Sequence, residues 1–235
     1  MTWLWVIFFS ALPLAAGSLT GRVELRDSRD PVVRKGKDFS GVVISLKPVS
    51  GPAPARAADP RAVMAQSDKT FAPHVLAVVV GTSVEFPNND PIFHNAFSSY
   101  NGQIFDIGLY PPGSTRSVRF RREGVVRVFC NIHSSMSALI VVLGTPWFAV
   151  TKKDGSFSIL NVPTGEYELD VFHERAAEAT LQALSRRITV EAGAAALPPL
   201  EISEAGYLPI HHKNKYGREY PPLPDDHSVY PAVRK

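Results

Sequence analysis

The chain has 235 residues, 45% hydrophobic and 20% charged, a balance that belongs to a folded protein and allows one large domain or two small ones. Lys and Arg number 25 against 22 Asp and Glu, and a net charge of +3 is too thin an excess to make a nucleic-acid-binding surface. The 20 prolines and 16 glycines exclude long helices, and a single cysteine excludes both an intramolecular disulfide framework and a multi-cysteine zinc ribbon.

Residues 1–17 read as a signal peptide. Leu4 to Ala16 is apolar apart from Ser10 and too short to span a bilayer, which takes about 20 residues. Ala15, Ala16 and Gly17 supply the small side chains that a signal peptidase prefers, so cleavage is expected near Gly17 or Ser18. No Lys or Arg precedes the apolar run, which leaves an uncleaved anchor as the alternative. A lipoprotein would need a cysteine at the cleavage point, and the sole cysteine is Cys130. The expectation is an exported, periplasmic protein, where a lone thiol should be buried, metal-bound or catalytic.

Two strands follow, GRVELR from Gly21 and SGVVISLKP from Ser40, separated by a polar loop. Residues 51–68 read as a Pro/Ala-rich connector. From residue 69 short strands succeed one another: HVLAVVV, TSVEFPN, IFHNAFSS, TRSVRFRR, VVRVFCNI and SALIVVLG. Alternation in the fourth places Val118 and Phe120 on one face and Arg119 and Arg121 on the other, the pattern of a half-buried antiparallel strand. A third group holds FAVT, SFSIL, YELDVFHE, RRITV and PLEIS, with turns at Asp154-Gly155 and Pro163-Thr164-Gly165. Ala176 to Leu184 reads as a short helix or a loop. Residues 204–235 read as an extended tail, dense in Pro, Tyr, His and Lys from Tyr207 on. Short strands at regular spacing, with no alternating long helices, predict an all-β fold of sandwiches.

The chemistry lies in two segments, FPNNDPIFHNAF with His94 and VFCNIHSSM with Cys130, His133 and Met136. A thiolate, two imidazoles and a thioether are the donors of electron-transfer copper sites, because a trigonal His₂Cys plane with a weak axial Met suits both oxidation states. Zinc is the competing metal for His₂Cys, but a thioether is a poor zinc ligand. A Cys/His hydrolase would need an orienting partner and an oxyanion site, and neither has a local signature here. His74, seven residues before Gly81, reads either as an extra ligand or, more simply, as an exposed strand-end histidine.

KTFAPHVLAVVVGTSVEFPNNDPIFHNAF resembles the opening part of plastocyanin-like cupredoxins, and GVVRVFCNIHSSM resembles their closing strand and ligand loop. The resemblance covers residues 69–143 and implies a Greek-key sandwich with copper at one end. It implies His94, Cys130 and His133 as equatorial ligands, Met136 as the axial one, Asn95 as a tie between the two ligand segments, and Asn88 as a brace for the loop before His94. One departure is that only Ser134 and Ser135 separate His133 from Met136, fewer than in plastocyanin-type loops. The spacing is similar to that of dinuclear copper loops, but the second cysteine these require is absent.

TPWFAVTKKDGSFSILNVPTGEYELDVFHE resembles carboxypeptidase-regulatory-like (transthyretin-like) domains through Thr151, Asp154, Gly155, Phe157, Ile159, Val162, Pro163, Gly165, Tyr167 and Leu169. The opening strands such a domain needs lie before the cupredoxin stretch. The expected organisation is therefore an insertion: residues 18–50 and 145–203 form the transthyretin-like sandwich, and 69–144 the cupredoxin. Val23 and Leu46 should then share a core with Phe157 and Tyr167. This two-domain look also resembles proteins labelled methylamine utilisation. His173-Glu174 and His211-His212 read as solvated residues rather than metal ligands, and Arg119, Arg121 and Arg122 as a solvated face or a dock for an acidic partner. The tail reads as packing on the domain surface or as a docking segment.

The functional expectation is a periplasmic mononuclear copper protein that carries single electrons rather than an enzyme. Electrons would leave through His133 among Pro91, Ile92 and Ile132, towards a c-type cytochrome or a periplasmic dehydrogenase. The alternatives are a copper-binding carrier or scaffold, and a copper enzyme with an open coordination position.

Overall fold

The structure, a computed structural model, describes residues 16–51, 58–99, 102–208 and 212–220. It is all-β, with two short helices among those residues. The chain begins with β1 (Ala16–Arg26), α1 (Pro31–Arg34) and β2 (Val43–Pro48), followed by β3 (Arg61–Val63), β4 (Ala65–Ser67) and β5 (Thr70–Ala72). Next come β6 (Val75–Val79), β7 (Ser83–Pro87), β8 (Phe97–Ser98), β9 (Phe105–Asp106), β10 (Thr115–Arg119), β11 (Gly124–Phe129) and β12 (Ser137–Leu143). The last part holds β13 (Phe148–Val150), β14 (Ser156–Pro163), β15 (Gly165–Phe172), α2 (Glu178–Leu184), β16 (Arg186–Val190), β17 (Gly193–Ala196) and β18 (Leu200–Ser203).

The elements make two sandwiches. In the flanking one, β14, β1 and β17 form a sheet, with β18 also on β1, opposite a sheet ordered β13-β2-β15-β16. Leu19, Val23 and Leu25 alternate inward from β1, and Tyr167, Leu169 and Val171 from β15. They close one buried cluster that contains Val23, Leu46, Phe157 and Tyr167. Strands from both ends of the chain thus share a core, while residues 61–143 build the other sandwich between them. The turn into β14 depends on Gly155, whose φ is +82° and whose position would bring a Cβ within 2.1 Å of the Val23 carbonyl oxygen.

The second sandwich packs the sheet β10-β7-β3 against β6-β12-β11-β8-β9, with the β4-β5 hairpin alongside. Its core contains Met64, Phe86, Tyr110, Phe120, Val128, Cys130, Met136 and Ile140. The apolar run of β12 has a physical reason. Ala138, Ile140 and Val142 face this core, while Leu139 and Val141 join Val43 and Val75 in a separate cluster with Val150 and Phe172 against it. That second face meets the flanking sandwich, so β12 is buried on both sides and loses the alternation of a half-exposed strand.

Several local features differ from the sequence reading. Residues 61–67, within the stretch read as connector, form β3 and β4, and Met64 and Gln66 are fully buried. These strands are three residues each, too short for a period to show. β1 starts at Ala16, opposite Pro163, so the last two residues of the stretch read as a leader are in a strand; residues 1–15 lie outside the described ones. The polar loop after β1 contains α1, which Asp30 caps by accepting from the Val32 N–H at 2.8 Å, with Pro31 in its first turn. Of the two readings for 176–184, the helix is what forms.

Candidate metal centre

His94 is placed by backbone pairing. Its N–H donates to the Tyr110 carbonyl at 3.2 Å and its carbonyl accepts from the Tyr110 N–H at 2.9 Å. Before it, Asn88 braces the loop: its Nδ2 donates to the Ile92 carbonyl at 2.8 Å, and its Oδ1 accepts from the Asp90 N–H at 3.1 Å. Cys130 follows the last residue of β11, and the chain then folds back on itself. The Cys130 N–H donates to the Met136 carbonyl at 3.2 Å, and the Met136 N–H to the His133 carbonyl at 3.1 Å. This tight loop keeps His133 beside the cysteine.

The result is a convergence of three donor atoms. Sγ of Cys130 lies 3.9 Å from Nδ1 of His94 and 3.6 Å from Nδ1 of His133. All three atoms lie within 4.8 Å of one another, and the imidazole rings meet edge to face with centroids 4.8 Å apart. A metal bonded at about 2.3 Å to sulfur and about 2.0 Å to nitrogen would hold S and N about 3.5–3.7 Å apart. The His133 spacing falls in that range and the His94 spacing lies just outside it, so a small inward shift of the imidazoles would let one ion reach all three atoms. Among the described residues, this is the only group of three or more His, Cys, Asp or Glu gathered closely enough to hold a metal.

The electrostatics suit a cation. Burial pulls the His94 pKa down although Asp90 opposes it, and burial together with His94 pushes His133 down to about 4. Both imidazoles are thus neutral near pH 7, the state that ligates. Burial pushes the Cys130 thiol up, and the backbone N–H groups of Ile132, Asn95 and His133 oppose it. Without a cation the sulfur keeps its proton; a metal at the centre would displace it. The contact to Asn95 is where the two ligand segments meet.

The sequence reading missed Asp90. Its Oδ2 lies 2.7 Å from Nε2 of His94, and its oxygens accept from the N–H groups of Asp68 and Lys69 at 2.7 and 2.9 Å. Burial raises the carboxyl, but the Lys69 N–H, His94 and the Asp68 N–H outweigh it and hold Asp90 below its usual range. An ionised carboxylate only accepts, so Nε2 carries the imidazole proton and Nδ1 turns its lone pair to the cysteine. Asp90 reads locally as a turn residue before Pro91, which concealed this role.

Other histidines are elsewhere. Met136 is fully buried in the same core as Cys130. His74 is not in the group: its Nδ1 is 3.1 Å from the Ser137 carbonyl and its Nε2 2.9 Å from Glu174. His173 is not solvated as expected but buried, with Nε2 2.7 Å from Glu204, a partner 31 residues away that no local pattern reveals. Glu174 bonds His74 and Arg175 instead. His211 lies outside the described residues, and His212 stacks on Phe129 with ring centroids 4.1 Å apart. Arg119 reaches Asp59 at 3.7 Å.

No protein-family model matches the chain, and no curated protein matches it. Among solved structures the chain is similar to a purple cupredoxin from Nitrosopumilus maritimus, with 26% identity over 35% of this chain and 99% of that one, TM-score 0.32. It is also similar to a copper-containing nitrite reductase from Thermus scotoductus, with 27% identity over 41% of this chain and 25% of that one, TM-score 0.34. A reduced variant of amicyanin is 21% identical over 43% of this chain and 98% of its own, TM-score 0.34. These similarities leave more than half of the chain unmatched and assign no role to its residues.

Proposed function

We propose that the chain is a mononuclear copper protein that passes single electrons, in which Cys130, His94 and His133 would hold the metal and the thioether of Met136 would add a weak fourth donor. The observation that carries this reading is the convergence of two neutral imidazole Nδ1 atoms on one thiol sulfur at 3.6 and 3.9 Å. Copper, when bound, supplies a one-electron couple to which this donor set is suited in both states. The chain's own part is to hold the donors still. Asp90 fixes the His94 tautomer, the closed Cys130–Met136 loop fixes His133, and the apolar core excludes water from the sulfur. His133 is only partly buried, which makes its imidazole edge the natural exit for an electron. The electron's destination is a c-type cytochrome or a periplasmic dehydrogenase, and the compartment is the periplasm, consistent with the apolar N-terminal stretch. By its motif the flanking sandwich is transthyretin-like and serves as a rigid support.

The test is an optical and electron-paramagnetic-resonance spectrum of the copper-loaded protein, beside Cys130→Ser. An intense thiolate-to-copper band, lost in the variant, with reversible one-electron reduction, is the expected result. Unchanged colour and copper uptake in Cys130→Ser overturns the assignment, and copper that is bound but cannot be cycled favours a carrier over a shuttle.

A further inference from the structure

The segment 212–220 lies against the metal centre at four points, from outside the sandwich that holds it. The Tyr220 hydroxyl donates to the carbonyl of Cys130 at 2.6 Å. The ring of His212 covers Phe129, the residue before the cysteine. The backbone N–H of Lys215 donates to Oδ1 of Asn131, the residue after it, at 2.9 Å. Nζ of Lys215 donates to Oδ2 of Asp106 at 2.8 Å, and Oδ1 of the same carboxylate accepts from Nδ2 of Asn95, next to His94, at 2.8 Å. One short stretch therefore grips Phe129, Cys130 and Asn131 directly and reaches the His94 side through a single carboxylate.

The polarity of these bonds is determined by their partners. A carbonyl only accepts, so the Tyr220 hydroxyl spends its proton on Cys130, and its oxygen accepts from Nδ1 of His212 at 3.1 Å. Lys215 and Asp106 form a charge-assisted link at the edge of the site.

We infer that residues 212–220 are a latch that sets the spacing of the two ligand segments, with Tyr220 and Lys215 as positioning residues for Cys130 and His94. The role of these ligands rests on the copper reading above, whereas the latch itself is a property of the chain. Surface packing alone would stabilise the fold without changing the sulfur's surroundings; a latch changes both the metal's hold and the thiol's accessibility.

The experiment compares the full chain with Tyr220→Phe, Lys215→Met and the double variant. Phe keeps the ring against His212, and Met keeps the stem and the backbone N–H to Asn131. In the metal-free protein, the rate at which a water-soluble disulfide reagent labels the Cys130 thiol should rise several-fold in the double variant. In the copper-loaded protein, loss of copper to a chelator should accelerate about 10-fold or more, the range of an outer hydrogen-bond partner's effect on a metal site, and the thiolate-to-copper band should shift. Labelling and copper loss within twofold of the parent, whatever happens to the melting temperature, overturn the latch. If the double variant does not fold, Tyr220→Phe alone decides by the same two rates. A parent chain that takes up no copper sinks the copper reading, while the labelling rates still decide the latch.

Discussion

Asp90 and His94 are joined by a 2.7 Å bond between Oδ2 and Nε2, four residues apart in a loop rather than on a helix. The carboxylate is itself tied to the backbone at Asp68 and Lys69, so the imidazole is anchored to the turn between β4 and β5. The orientation of the His94 ring is thereby transferred from its own segment to a hairpin that precedes it.

Asp90→Ala should lower copper affinity about 10–100-fold, because His94 loses both its tautomer and its orientation. A competition titration against a chelator measures it, with circular dichroism showing that the variant is folded. An unchanged affinity in a folded variant would mean that packing alone orients the imidazole.

Met136 bears on a different quantity. If the Met136 thioether is a weak donor to copper it would stabilise the oxidised ion slightly, so Met136→Leu should keep the metal and raise the reduction potential, and Met136→Gln, a harder donor, should lower it. Voltammetry of both variants reads the two shifts. Equal potentials in all three proteins would remove Met136 from the metal's surroundings and leave it a core residue.

The convergence of three side chains was legible because each is a rare, chemistry-bearing type in a short pattern: Cys130 and His133 three apart, His94 beside Asn95. Asn88 and Asn95 aside, what supports them was not. Asp90 is camouflaged as a turn residue in NNDP, and Tyr220 and Lys215 lie 90 and 109 residues from their partners Cys130 and Asp106. The same limit applies to the fold. Alternation in β1 and β15 gives one inner face each, but β12 reads as unbroken SALIVVL because a second body covers its outer face, and nothing within seven residues says which body. Likewise β3 and β4 are too short to carry a period, and their membership of the core is decided by Met64 and Gln66, which only the fold brings inside.

Glu204 makes acid stability a readout of the flanking sandwich. Burial raises its carboxyl, but the hydrogen bond from His173, that from Ser28 and the charge of Arg175 outweigh it and bring the group down to about 2. A carboxylate with a depressed folded pKa contributes stability that is complete above 4.5, its ordinary value, and is lost as pH falls towards 2. The loss over that interval is of the order of 3 kcal/mol for a side chain this buried. Glu204→Gln should destabilise the protein at pH 7 by about 3 kcal/mol, since Arg175 and His173 lose their charged partner, and should flatten the acid limb of the melting curve. An acid limb unchanged in the variant would assign it to other carboxylates.

The two sandwiches meet through apolar side chains and through the titrating pair of His74 before β6 and Glu174 after β15. The hydrogen bond to Glu174 is the main reason the His74 pKa is raised above 6.5. Burial pushes Glu174 up, but His74 and then Arg175 outweigh it and lower the carboxyl below 4.5. The histidine's share of stability is complete below pH 6.5 and is lost as pH rises through its folded value; the glutamate's is complete above 4.5 and is lost as pH falls through its own. Their joint contribution therefore peaks between pH 4.5 and 6.5. His74 is 49% exposed, so solvent screening keeps the pair below about 1 kcal/mol. The parent should lose stability between pH 6 and pH 8.5 relative to His74→Gln, and the gap between the two melting temperatures should close at the higher pH. Parallel melting curves across that interval would mean that Val43, Val75, Leu139 and Val141 hold the sandwiches together without help from the ion pair.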